Sequence, residues 1–211
     1  MTMFDPSDLT ILPTAPKPIM AIRGYCVPLE DSEPFTLIKP NMKTGPWIAG
    51  GTALLWYQGK PAGLHDIDVF CKNEQQARKI IDRLVRENND KTHVLFESEN
   101  AVTISLTCGG KSWKIQVIIK EFFNTVADVV DRFDITVCKI ATDGFSWHKG
   151  PQQAADLRTR SLRMTHIKGD SIKRYSKYMA YGYRPVEGLY DDILAATDWS
   201  LEATVGEYDA F

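Results

Sequence analysis

The 211-residue sequence has no apolar run as long as the roughly 18–20 residues that a membrane-spanning helix needs. Its opening, MTMFDPSDLT, has no basic stretch leading into an apolar one, so neither a membrane span nor a secretory leader is expected. It has no CxxC pair: Cys26, Cys71, Cys108 and Cys138 stand far apart, three of them in apolar, strand-like runs. That spacing argues against a zinc ribbon or a thioredoxin-type dithiol and reads as reduced thiols in a cytoplasmic protein. There is no internal repeat and no low-complexity segment. With 44% apolar and 25% charged residues, long disorder, collagen and coiled coil are not expected. At about 150 residues per domain the length suits one domain with an appendage.

Net charge is also scarce, at −2, but it is unevenly placed. From Asp156 to Arg184 there are eight Lys/Arg and two Asp, whereas Pro185 to Phe211 holds seven Asp/Glu and no Lys or Arg. A local excess of that size attracts a polyanion even on a slightly acidic molecule, and it also suits a solvated helix face. On the helix expected over 170–182, Ile172, Tyr175 and Met179 share one face and Lys173 and Lys177 another. That basic rim could touch a triphosphate or an RNA backbone, and the nearby tyrosines could stack a base.

Residues 1–20, with four prolines, read as an extended or mobile arm, 21–149 as the principal domain and 150–211 as a helical C-terminal extension. Pro28, Pro34 and Pro40 make 21–45 loop-rich. Strands are expected at Trp47–Ala49, His65–Cys71, Thr92–Glu97, Ala101–Thr107, Ser112–Lys120 and Phe133–Ile140, with a hairpin turn at Gly109-Gly110. Helices are expected from Thr52, from Asn73 as cap to about Glu87, and over 124–130, 150–158, 170–182 and 186–196. The pattern is a mixed α/β (α+β) sheet flanked by helices.

The chemistry gathers at Gly50-Gly51-Thr52, then Asp66-Ile67-Asp68, then Asp134. Asp66 and Asp68 lie two apart on an alternating strand, so their carboxylates share a face. Two like charges that close call for a cation, and hard oxygen donors suit Mg²⁺ or Mn²⁺. A third carboxylate from a neighbouring strand would allow two metals. Gly50 and Gly51 have no side chain to keep a phosphate away, and Thr52 opens a helix whose free N–H groups favour anions. His65 reads as structural, and Lys60 as a solvated loop side chain.

AGGTALLWYQGKPAGLHDIDVF resembles the signature of the DNA polymerase β-like nucleotidyltransferase superfamily, a GG[S/T] element followed by an hDxDh strand. RFDITVCKIATDG looks like the FD-containing strand of phage, viral and some eukaryotic members. RSLRMTHIKGDSIKRYSKYMAYGYRP is similar in character to the neck helix of tRNA-CCA-adding enzymes and poly(A) polymerases. The resemblance implies transfer of a nucleoside monophosphate from an NTP to an acceptor hydroxyl, with an RNA or tRNA 3′ end as the favoured acceptor. By match, Gly50, Gly51 and Thr52 hold the triphosphate, joined by Lys173 and Lys177 from the basic rim. Asp66 and Asp68 ligate Mg²⁺, and Asp134 is the third carboxylate, placed to activate the acceptor. The location implied is the cytoplasm, that of the host if the protein is phage-encoded.

One departure stands out: the strand after the hairpin presents Gln116 where many small members carry the third acid. Either Asp134 supplies that acid or the site lacks one. A protein-nucleotidylylating enzyme of the toxin or antitoxin kind, and a non-catalytic interaction protein that has kept the fold, therefore stay open as alternatives.

Overall fold

A computed structural model describes residues 19–22, 25–28, 33–60, 66–86, 90–108, 110–168 and 170–196. Of the arm expected at 1–20, residues 1–18 lie outside the described residues, as does His65, while Ile19 and Met20 belong to a strand. The first described elements are an antiparallel pair, β1 (Ile19–Ile22) and β2 (Tyr25–Pro28), followed by α1 (Glu33–Ile38). Next come β3 (Trp47–Ala49), α2 (Gly51–Tyr57), β4 (Ile67–Phe70) and α3 (Glu74–Arg86). A meander of β5 (Thr92–Glu97), β6 (Ala101–Cys108) and β7 (Lys111–Ile118) leads to α4 (Val126–Asp131). After β8 (Ile140–Thr142) and β9 (Trp147–Lys149) the chain turns largely helical: α5 (Gln153–Thr159), β10 (Ser161–Leu162), α6 (Ser171–Ala180), β11 (Arg184–Pro185) and α7 (Leu189–Ala196).

Seven strands form one mixed sheet in the order β5-β6-β7-β4-β3-β8-β9. Only β4 and β7 run parallel; the other pairs in this sheet are antiparallel. The strand that carries the two acids is thus the middle one, with three strands on each side. Its alternation sets the layers. Ile67 and Val69 are fully buried against α1, α3 and the inner residues of β6 and β7 (Ile104, Leu106, Ile115, Val117). Asp68 and Phe70 point to the other face, where Phe70 joins Trp47, Phe123 and Val129 beneath α4.

Local sequence explains the helix that seals the first core. Asn73 caps α3, its Oδ1 accepting from Gln76 N at 2.9 Å, and Ala77, Ile80 and Leu84 recur at helical spacing on the buried face. In α2, Trp56 faces that core, while Ala53 and Leu54 enter a second core with Tyr178, Tyr183, Leu189 and Ile193. This helix therefore joins the sheet to the C-terminal helices, and the extension expected from residue 150 packs on it directly. The extension also holds a short parallel pair that the sequence does not announce, Ser161 with Arg184 and Leu162 with Pro185.

Phe133–Ile140 is not a strand. Thr136–Cys138 is a 3₁₀ turn, and β8 starts only at Ile140. Residues 135–140 are all buried, so the alternation of a half-buried strand is missing, and the backbone bonds out of the sheet. Thr136 N donates to Arg163 O at 3.0 Å, and Thr165 N donates to Asp134 O at 2.7 Å. Among the described residues no helix is long and apolar enough to cross a membrane.

Candidate active site

Asp66, just before β4, and Asp68 within it lie on the same face, because Ile67 and Val69 are turned into the core. The parallel register sets Asp68 beside Gln116 and Ile67 beside Ile115. It also brings Lys114 Nζ to 3.3 Å from Asp66 Oδ1. Asp68 is less well compensated. Burial pushes its carboxyl up to about 7, the Asp66 charge adds to the rise, and the Lys177 ammonium opposes it.

The glycine pair divides its tasks. Gly50 has φ +85 and ψ −142, and a Cβ there would stand 2.6 Å from the Phe133 ring, so the turn out of β3 admits only glycine. At Gly51 a Cβ would meet nothing nearer than the Tyr178 hydroxyl at 3.9 Å, so the space before its backbone is open. Thr52 is 2% exposed, and its hydroxyl donates to Asp66 O at 2.6 Å. The side chain expected to touch phosphate thus ties the first turn of α2 to the strand bearing the acids.

A cleft of about 340 Å³ runs between α2 and α6. Gly51 and Lys177 line it, as do Gln58 and Lys60 beyond the far end of α2, with Tyr178, Tyr181 and Tyr183 along the facing wall. Lys60, read from the sequence as a solvated loop residue, belongs to this lining. Lys177 is common to the cleft and to the electrostatics of Asp68. Lys173 is exposed and lines neither this cleft nor the second one described below. Beneath the wall, Cys138 Sγ and Tyr178 Oη share a hydrogen bond at 2.6 Å. Burial pushes the Cys138 thiol up to about 12 and the Tyr178 phenol well above its usual value, so neither is a nucleophile at neutral pH.

Asp134 does not join the pair. Among the described residues no group of three His, Cys, Asp or Glu stands close enough to hold a metal ion, so the expected three-carboxylate cluster is not assembled. Asp134 instead lines a second cleft, of about 490 Å³, with His166, Lys168 and Arg174. Its Oδ2 lies 3.1 Å from Arg174 Nε, but the two atoms lack hydrogen-bond geometry, so the contact is one of charge. Arg174 also donates from Nη2 to Asp170 Oδ1 at 2.7 Å. The cause is the 3₁₀ turn: it lifts this segment out of the sheet and onto α6.

Sequence reasoning missed Lys114 as the partner of Asp66, Gln58 as part of the first cleft and Arg174 as part of the second. Lys114 had a readable signal, since it stands two before Gln116 on an alternating strand and so shares its face. Gln58 had none beyond its place at the end of α2.

The mixed sheet of seven strands, with a glycine turn opening a helix and paired acids at the central strand, is a fold shared with solved CCA-adding enzymes. Solved structures that share it include the Thermotoga maritima CCA-adding enzyme complexed with tRNA, with TM-score 0.51, 19% identity, and 76% of this chain covering 40% of that one. A CCA-adding enzyme with ATP gives TM-score 0.54 at 15% identity, with 70% of this chain on 37% of that one. A tRNA-processing enzyme in an apo form gives 0.50 at 18%, with 71% on 44%. The chain thus spans less than half the length of these enzymes. No curated protein matches the sequence. The sequence model of the Gabija anti-defense 2 family matches residues 23–160, and the chain belongs to that family.

Proposed function

We propose that the protein transfers a nucleoside monophosphate from an NTP to an acceptor hydroxyl. The observation that supports this is Thr52, which follows Gly51 at the head of the cleft and donates to Asp66 O at 2.6 Å, tying the lining of the cleft to the strand of the acids. Asp66 and Asp68 fit Mg²⁺ or Mn²⁺: they are hard oxygen donors on one face, and Asp68 is a buried carboxyl beside a like charge, the condition that a divalent cation relieves. When bound, the ion would draw charge from the reacting phosphate and help acidify the attacking hydroxyl.

The chain's own residues do the rest. Gly51 leaves its backbone open to the triphosphate, and Lys177 and Lys60 supply positive charge along the cleft. Thr52 fixes Asp66 through its carbonyl. The acceptor oxygen bonds to the α-phosphorus, the bond from α-phosphorus to the bridging oxygen breaks, and pyrophosphate leaves with that electron pair. The acceptor's proton passes to water. Asp134, held by Arg174, keeps α6 in place in this reading.

The acceptor we favour is an RNA 3′ end, supported by the basic segment and by a neighbour in fold that is bound to tRNA. The family's description as Gabija anti-defense favours a second acceptor, a hydroxyl on a component of that defence. Incubation with each α-labelled NTP and Mg²⁺, then with total RNA or with purified Gabija components, separates the two by which pool takes up label. No uptake in either pool, together with no NTP binding, leaves an interaction protein that has kept the fold.

A further inference from the structure

β5 is the outermost strand of the sheet, and among the described residues no strand pairs with its outer side. Thr92, whose hydroxyl donates to Leu84 O, is buried, whereas His93 to Glu97 are all exposed. Three large apolar side chains stand there in succession, Val94 48%, Leu95 55% and Phe96 63% exposed. Edge strands are commonly kept from pairing by charged side chains or proline. β5 has no proline, and its one Asp, Glu, Lys or Arg is Glu97 at the very end.

The bulge in β5 decides what fits it. Thr92, Val94 and Glu97 pair with Leu106, Ile104 and Val102, all buried in the first core, and so lie on the core face of the sheet. His93 and Phe96 pair with Ser105 and Thr103 and lie on the opposite face, that of Asp68. Leu95 is the extra residue, and with Val94 it stands against Ile104. The facing order is therefore the same from either end: core, outer, core, core, outer, core. An antiparallel copy requires this, because directly opposed residues share a face. With a twofold axis between Val94 and Leu95, Thr92 opposes Glu97 of the second copy, His93 opposes Phe96 and Val94 opposes Leu95. Apolar side chains meet at the centre and polar ones at the ends. Lys91 and Glu97 flank the strand with opposite charge, so antiparallel pairing brings unlike signs together, where a parallel copy would set like against like.

We propose that β5 is a self-association strand: two copies of this chain pair through it, antiparallel about a twofold axis, and join their sheets edge to edge. The proposal goes beyond nucleotidyl transfer and does not depend on it. A contact of one strand on one strand belongs to the small class of interfaces, so the pair should form at micromolar concentrations. Within it the two β4 strands stand seven strand spacings apart, about 34 Å, and both acid pairs open on the same side of the joined sheet.

The test is sedimentation equilibrium of the full chain from low to high micromolar concentration, repeated for Leu95→Lys and Phe96→Glu with melting temperatures alongside. The parent should pass from monomer to dimer across this range. Each variant should need at least about tenfold more protein to associate. Both side chains are already exposed, so at a concentration where the parent is monomeric neither substitution should lower the melting temperature. His93→Cys combined with Phe96→Cys reads the register. The two positions face each other across the twofold axis and should form a disulfide between copies on mild oxidation. Within one chain they lie about 10 Å apart along the strand, too far to bridge. A parent that stays monomeric to the top of the range overturns the proposal and leaves the strand to a different partner. A dimer that survives both charge substitutions, or that gives no cross-link, overturns it as well, because its contact then lies elsewhere.

Discussion

Asp68 and Gln116 are register partners on the parallel strands β4 and β7, so the cross-strand neighbour of the buried acid is a neutral amide. Parallel strands lie about 4.8 Å apart, close enough for a charge on one side chain to be felt fully by the other. Much of the behaviour of the site follows from this pairing.

Gln116→Asp sets a third carboxylate beside Asp68. Without metal, the extra like charge should lower the melting temperature at pH 8; with Mg²⁺ or Mn²⁺ the variant should gain more stability than the parent gains. Thermal scans with EDTA and across a metal titration read both. A cation-induced shift no larger than the parent's sinks the assignment of this face to a metal.

The pH dependence has a definite sign. Asp68 sits at about 7 in the folded chain against an ordinary 3.8, so folding favours its protonated form. Its contribution to stability is fully present below about pH 4, declines as pH rises towards 7, and is lost above that. Asp68→Asn escapes the loss. In EDTA its unfolding free energy should equal the parent's near pH 4 and exceed it increasingly up to about pH 7, by on the order of a few kcal/mol, with a constant gap beyond. Saturating Mg²⁺ should close the gap by stabilising the parent alone.

The two glycines should separate cleanly. Gly50→Ala forces a left-handed residue and a contact with Phe133, and should destabilise by about 2–4 kcal/mol. Gly51→Ala meets only the Tyr178 hydroxyl at 3.9 Å and should fold normally while weakening NTP binding. Chemical denaturation and an NTP titration on both variants check this. Equal NTP affinity in Gly51→Ala would remove the triphosphate from this part of the cleft.

Thr52→Val keeps the shape but removes the donor to Asp66 O, leaving a carbonyl unpaired at about 1–2 kcal/mol. The loss should extend to kcat, because Asp66 loses its tether. Thr52→Ser should restore both. A variant that loses stability but retains full kcat at a temperature where it is folded would show that Asp66 is held by other means.

For Asp134 the ion pair is decisive. Arg174→Ala leaves a carboxyl whose side chain is 12% exposed without its partner and should cost about 1–3 kcal/mol, reduced from a fully buried pair because Arg174 is 37% exposed. Adding Asp134→Asn should recover part of that. If Asp134→Asn alone collapses kcat at constant KM, the carboxyl acts in the transition state and its role is not confined to holding α6.

What the sequence disclosed and what it hid have physical reasons. The shared face of Asp66 and Asp68 was legible because Ile67 and Val69 alternate with them, and the Asn73 cap because capping is local. The neutral Gln116 was visible as a break in a pattern, and its register beside Asp68 shows how close to the acids that break falls. Phe133–Ile140 misled because a segment buried on all sides has no alternation, so β-rich composition alone suggested a strand. The Arg174–Asp134 contact and the Gln58–Tyr183 bond join residues 40 and 125 positions apart, and no local signal encodes them. Four tyrosines at 175, 178, 181 and 183 hinted at base stacking, but only the packing of α6 on α2 showed that the last three line the cleft and Tyr175 does not.

The place of β4 in the middle of the sheet also bears on time. Amides of a central strand are released only when much of the sheet opens, whereas α6 and α7, which lie outside the sheet and meet it through side-chain packing, can open by a smaller excursion. Hydrogen exchange at Ile67–Phe70 should therefore be among the slowest in the molecule, and exchange in α6 and α7 faster. The acids would then keep their geometry through each opening of the wall that faces them. A spent nucleotide could leave by a local excursion, without loosening the strand that must be ready for the next one.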